Sequence, residues 1–300
     1  MRLRPLINAG IGASVLLRNW TLDNDQNEYF ATAASEQLEY LLHVAPRAPN
    51  GAISQRESQV QLWSDFIYMA PPFIAYYGAL QGGFLGNRLL QIAYDQVRLY
   101  REVLFDADVG LWRHIALGNG TDPTHWATGN AWAAAGALRV LATIQQSCAA
   151  DSMTSQQNDL LQWVQDTLDG VWHFQVRVFF FSILVNTEAS LCVQQSNGTL
   201  LNYIDEPDSF ADTSSTALLA ASTFRFASIT GNNTYIPAAI RALELVHSSV
   251  DDQGWLNGTV NPETFSSPSP PGLHSPEGQS FVILLEAAVS AWSLSESKKF

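Results

Sequence analysis

The chain has 300 residues, 47% hydrophobic and only 14% charged, with a net charge of −13 at pH 7. That length and apolar content can bury a large core. The acidic balance argues against nucleic acid, which needs clustered Lys and Arg, and against anionic membrane surfaces.

Apolar residues recur at helical spacing through most of the chain. They predict helices over roughly 6–18, 25–43, 60–79, 84–104, 130–147, 155–174, 212–229, 234–249 and 277–293. No apolar run reaches membrane-spanning length. The opening Met1–Pro5 and Leu6–Leu17 resemble a signal peptide, but Asn8, Gly10 and Gly12 interrupt the apolar part. Sequons at Asn19, Asn119, Asn197, Asn232 and Asn257 point to a secretory route and an extracellular location. Cys148 and Cys192 permit at most one disulfide.

The loops alternate between short and long. Gln81–Gly83 carries only turn residues, whereas the long loop over Asp106–Thr128 carries Trp112, His114, Asp122 and Trp126. Paired helices with one short rim and one functional rim predict an all-α toroid. The whole of 1–300 reads as one domain. Nine Trp and nine Tyr in so poorly charged a chain suit a sugar-binding cleft, although most aromatics fill cores.

Between Glu57 and Arg88 the only formal charge is Asp65, set among Trp63, Phe66, Tyr68, Met69 and Phe73. Burial pushes a carboxyl pKa upward, which makes Asp65 a candidate proton donor. An aspartate at a helix start can equally be an N-cap, accepting backbone N–H bonds. The residues alone leave both readings open.

Residues 176–194 look foreign. The run 178–185 has strand propensity, no partner strand nearby and the profile of an aggregation-prone segment, and it predicts a retained intron or a hairpin insertion. Other motifs are weak. Gly10-Ile-Gly12 lacks the third glycine of a dinucleotide fingerprint. Asp106 and Asp108 lack the glutamate of a calcium loop, and His114 and His125 share one loop without a zinc-ligand partner, so no metal or other cofactor is expected. The Asp205-Glu206-Pro-Asp208 cluster reads as a solvated turn.

Five stretches in order resemble glycoside hydrolase family 105, the unsaturated rhamnogalacturonyl hydrolases, close to the unsaturated glucuronyl hydrolases. They are Ser64–Phe73, Gly110–His114, Trp126–Trp132, Phe210–Ala217 and Ser275–Phe281. The variant is most similar to secreted fungal members. The resemblance implies an (α/α)6 barrel of six helical hairpins and an oligosaccharide substrate from pectin, ending in a 4,5-unsaturated uronic acid. The implied chemistry is hydration of the vinyl ether, with Asp65 protonating C4 and then helping to deprotonate the water that attacks C5. Position by position, Asp65 matches the catalytic acid and base, and His114 matches a histidine near the uronate. Trp126, Asn130 and Trp132 match a cleft-lining Trp-x-Arg-Gly-Asn-Gly-Trp block, and Tyr68 and Met69 join them as substrate contacts.

Two departures follow. The block's Arg is Thr128 here, so Arg113 or Arg56 takes its place or the substrate differs. No acid precedes Asp23 where the family carries another Asp, and the expectation is a barrel incomplete at its N-terminus. The rival functions are a degenerate carbohydrate-binding homologue and another toroid enzyme, a lyase or an inverting glycosidase. The inverting case needs Glu277 or Asp212 as a second carboxylate about 6.5–9.5 Å from Asp65.

Overall fold

The structure, a computed structural model, describes residues 5–21, 27–184 and 198–298. Among them are nine α-helices: α1 (Pro5–Thr21), α2 (Asn27–Glu39), α3 (Phe66–Gln81), α4 (Gly83–Leu104), α5 (Ala127–Gln146), α6 (Thr154–Leu184), α7 (Thr213–Thr230), α8 (Ile236–Ser249) and α9 (Pro276–Ser297). The expected helices are all present, and no described helix is long and apolar enough to cross a membrane. The described residues fall into two compact units. The first takes Met1–Asp106, Trp112–Pro123 and Gly136–Trp163, the second Ala107–Leu111, Thr124–Ala135 and Val164–Phe300.

Helix ends follow local chemistry. Gly82 (φ 63°) closes α3 with its N–H on the Gly78 carbonyl, and left-handed Gly231 does the same for α7 on Ala227. Ser275 caps α9 by accepting the Gly278 N–H, with Pro276 in the first turn.

Two expected boundaries are corrected. Helix α3 does not start at 60. Leu62 and Trp63 form a short strand paired antiparallel with Ile115 and Ala116, and Ser64–Asp65 turn into the helix. Helix α6 does not stop near 174 but runs on to Leu184. A strand there would need a partner to pair its backbone groups, whereas a helix satisfies its own. Residues 185–194 of the expected insert, and Cys192, lie outside the described residues.

In the first unit α3 packs against α1 and α4 around buried Phe66, Ile67, Phe73 and Ile74. Pro71 and Pro72 lie inside α3, beyond the first turn where proline costs little. Each lacks the N–H that would serve the carbonyl four residues back, those of Ile67 and Tyr68. Helix α5 answers both. Gly136 packs directly on the Ile67 carbonyl, and Arg139 Nη1 lies 3.5 Å from the Tyr68 carbonyl oxygen.

In the second unit α7 is buried on nearly every side between α8 and α9. Its hydroxyls are satisfied internally: Ser222 donates to the Leu218 carbonyl and Thr223 to that of Leu219, while Thr223 also accepts the Trp172 indole N–H at 3.0 Å. Phe224, Phe226 and Phe281 fill the core around it.

A Cβ added at Gly136 would overlap the Ile67 carbonyl oxygen and displace the backbone two residues after Asp65. Gly136→Ala is expected to destabilise the fold by about 1–3 kcal/mol, as overpacked positions do. Denaturant unfolding of the variant against wild type checks this.

Candidate active site

The turn into α3 sets the chemistry. Asp65 occupies the N-cap position of α3, but its backbone is already helical (φ −55°, ψ −35°) and its side chain makes no cap hydrogen bond. The reading of Asp65 as a cap therefore does not hold. Its side chain is 17% exposed, and Oδ2 is removed from solvent and faces His114 Nε2 at 3.6 Å. That is an ion-pair distance, longer than a hydrogen bond.

The short ladder positions this pair. Leu62 pairs with Ala116 and Trp63 with Ile115, and the Ser64 N–H donates to the His114 carbonyl at 3.0 Å. The loop then doubles back. Ile115 and Asp122 exchange two backbone hydrogen bonds, at 2.8 and 3.0 Å, which brings the Asp122 carboxylate beside the His114 ring. His114 Nδ1 lies 2.9 Å from Asp122 Oδ2, and the histidine is 1% exposed. A carboxylate only accepts, so Nδ1 carries the proton and Nε2 is turned toward Asp65. Trp63 packs edge-on against His114 with centroids 5.4 Å apart, and its indole N–H donates to Gln61 Oε1 at 3.1 Å. Gln59 and Gln61 in turn hold the Asn119 backbone.

Burial drives the Asp65 carboxyl above the ordinary carboxylate range, and the neighbouring His114 opposes that only in part. The hydroxyl of Tyr100, buried beneath Phe66 and within reach of the Asp65 charge, is pushed well above the usual phenol value, first by burial.

Tyr68 and Met69 follow on α3. Tyr68 lies under the Arg139 guanidinium (4.4 Å to the ring centroid), and Arg139 Nε donates to the Tyr76 hydroxyl at 3.0 Å. Met69 sulfur packs toward Gly10 of α1. Of the two alternative cations, Arg113 forms an ion pair with Asp106, while the Arg56 guanidinium lies 4.8 Å above the Trp63 ring.

The remaining expected residues belong to the second unit. Trp126 is 7% exposed, its indole N–H donates to Asn202 Oδ1 at 3.0 Å, and its ring meets Phe265 at 5.7 Å. Phe265 itself holds a left-handed backbone (φ 47°), and its carbonyl accepts from Asn202 Nδ2. Asn130 is fully buried and donates to the Trp126 carbonyl at 2.9 Å, while Trp132 sits edge-on to Phe281 at 4.8 Å. Both brace the start of α5. Thr128 donates to Asp212 Oδ2 at 3.3 Å.

Asp212 is an N-cap in full. It accepts from the Ser214 and Ser215 N–H groups, the Ser214 hydroxyl and the Val260 N–H as well as Thr128. Glu277 is exposed in the first turn of α9. The Asp205 cluster is only in part the solvated turn expected. Glu206 and Asp208 are exposed, but Asp205 is half-buried against His125, Oδ2 to Nδ1 at 2.7 Å.

The residue pattern does not single out Asp122 or Asp205 as a functional side chain. Each is a carboxylate set against a histidine of the long loop, Asp122 from within that loop and Asp205 from 80 residues further along the chain. Neither pairing leaves a mark in the spacing of the residues. Among the described residues no group of three or more His, Cys, Asp or Glu side chains is arranged to hold a metal ion.

Comparison with known proteins matches residues 6–178 to the family model Glycosyl Hydrolase Family 88. No curated protein sequence matches the chain. Among solved structures, a possible member of the GH105 family from Salmonella enterica serovar Paratyphi A is 17% identical, with 96% of this chain and 72% of that one covered and a TM-score of 0.76. A possible GH105 member from Klebsiella pneumoniae is 19% identical over 93% of this chain and 70% of that one, with a TM-score of 0.74. The unsaturated glucuronyl hydrolase of Bacillus sp. GL1, responsible for the degradation of glycosaminoglycan, is 15% identical over 93% and 71%, at 0.61. The fold is thus that of the six-hairpin glycosidases, as the all-α toroid reading expects.

A carboxyl whose folded pKa is raised contributes stability below its unfolded value, about 3.9 for aspartate, and that contribution is lost as pH rises through the folded value. Above its unfolded pKa the raised Asp65 carboxyl is therefore a cost to the fold. Asp65→Asn is expected to raise the melting temperature at pH 7 by a few degrees, with the gap from wild type closing below about pH 4. Calorimetry across that pH range measures it, and an unchanged or lowered midpoint at pH 7 contradicts the assignment of a raised pKa.

Proposed function

The chain belongs to Glycosyl Hydrolase Family 88, whose model matches more than half of it, and is a glycosidase; from that premise we propose that it removes 4,5-unsaturated uronic acids from the non-reducing ends of oligosaccharides. The observation that carries this reading is Asp65: a carboxyl at a helix start, uncapped, out of water, raised in pKa by burial and faced by an imidazole whose other nitrogen is held by Asp122.

Vinyl-ether hydration needs one group that is an acid first and a base second. The Asp65 carboxyl gives its proton to C4 of the sugar's C4–C5 double bond, and the cation that forms at C5 is stabilised by the ring oxygen. The Asp65 carboxylate then takes a proton from the water that bonds to C5, which restores the acid. The resulting hemiketal opens and expels the aglycone. His114, oriented by Asp122, stands beside the carboxyl through both proton transfers and limits the charge that develops there. The unsaturated glucuronyl hydrolase of Bacillus sp. GL1, similar in fold, supports a uronate-ended substrate class.

An inverting displacement needs a second acid or base free to act. Asp212 is occupied by five donors, so it does not recommend that mechanism. Within the proposed class we favour fragments of rhamnogalacturonan, on the resemblance of Ser64–Phe73 and Trp126–Trp132 to family 105. Tyr68, Met69 and His114, in the same unit as Asp65, complete the proposed substrate contacts. An extracellular setting belongs to the same proposal and is supported by the exposed sequon residues Asn119 and Asn257.

The assay follows the ultraviolet absorbance of the conjugated double bond in oligosaccharides released by a pectic lyase. Wild type is expected to bleach it, and Asp65→Asn to be slower by at least the ~10²–10⁴-fold that a positioned acid–base group contributes. Persistent absorbance with folded wild-type protein on every unsaturated uronide offered sinks the proposal.

A further inference from the structure

The proposed substrate brings a uronate carboxylate to a place that already holds the carboxyl groups of Asp65 and Asp122, with His114 between them. A third anion there needs a cation. Position 128, where the resemblance expects an arginine, is a neutral threonine already bonded to Asp212. In the first unit Arg113 is tied to Asp106, and Arg139 lies between Tyr68 and Tyr76 with its Nε on the Tyr76 hydroxyl. Arg47 is committed to the carbonyls of Leu41, Leu42 and Gly51.

Arg56 differs from all of these. Its backbone is pinned, because the Ser54 hydroxyl donates to its carbonyl at 2.7 Å and accepts its N–H at 3.2 Å. Its side chain is exposed, and the guanidinium rests on the face of Trp63, 4.8 Å from the ring centroid, with no ion pair among the described residues. Trp63 is itself immobilised, by Gln61 at the indole N–H and by the His114 ring at its edge. A guanidinium stacked on an aromatic face keeps its planar fork of N–H donors open at the rim, the arrangement suited to a bidentate carboxylate. The contacts run in sequence from Arg56 to Trp63, to His114 and to Asp65.

We propose that Arg56 is the specificity-determining residue that binds the uronate carboxylate of the substrate, in place of an arginine at position 128. This inference rests on the function proposed above and adds to it the group that recognises the charge. The carboxylate on C5 is held by Arg56 while C4 beside it is presented to Asp65, so the two residues act at neighbouring positions of the same sugar.

The test compares wild type, Arg56→Gln and Arg56→Lys on two substrates: an oligosaccharide ending in the unsaturated uronic acid, and the same molecule with that carboxyl as its methyl ester. Wild type is expected to prefer the free acid. Arg56→Gln is expected to lose about 10–100-fold in kcat/KM on the acid, mostly through KM, the range for removing a hydrogen bond to a charged group. Its activity on the ester stays near that of wild type, and Arg56→Lys recovers part of the preference for the acid. Equal losses on acid and ester, or no loss on the acid, overturn the role of Arg56 while leaving the proposed reaction intact. A wild type inactive on both substrates overturns the reaction and this inference with it. Because Arg56 is exposed, the variants are expected to melt with wild type, and matched melting curves exclude a folding explanation for the kinetics.

Discussion

The site depends on a carboxyl group held largely out of water beside a histidine and not capped onto its own helix. Asp65 sits where a helix offers its free N–H groups, yet its side chain takes none of them and turns instead to His114. Desolvation then shifts the carboxyl toward its protonated form, which is the form an acid catalyst needs before it acts. Any donor added at Oδ2 would lower its pKa and spoil that state.

Asp212 shows the opposite outcome for the same residue type at the same kind of place. It too opens a helix, but five donors surround it, two of them the N–H groups of the first turn of α7 and one the N–H of Val260. Its negative charge is fully used in closing the N-terminus of α7 and tying down the segment at Val260. One aspartate serves as structure and the other is left for chemistry, and the number of donors around each separates the two roles.

Holding Asp65 in this state requires a rigid frame on both sides. On one side the two-residue ladder and the Ile115–Asp122 bridge fix His114 and its acidic partner. On the other, Pro71 and Pro72 free two carbonyls of α3, and α5 returns to them with Gly136 and Arg139. The prolines thereby couple the first turns of α3 to α5. A helix that satisfied its own bonds would have no such demand for its neighbour.

Much of this is legible in the residues. The 3.6-residue period locates all the described helices, because burying one face of a helix imposes that spacing whatever the tertiary partner, and caps such as Ser275 and Gly231 mark ends by local bonding alone. Asp65 stands out because a single charge in an apolar stretch is visible without a fold. What the chain order does not reveal is which groups face one another. Whether Asp65 is a cap or an acid depends on a side-chain direction, and the partnership of His114 with Asp122 depends on a loop that doubles back across Ile115. The commitment of Thr128 to Asp212 and of Arg113 to Asp106, with Arg56 left on Trp63, likewise joins residues by contact and not by period. Periodicity and capping are local and survive in one dimension; the pairing of charges, which decides a carboxyl's protonation, exists only once the chain has folded.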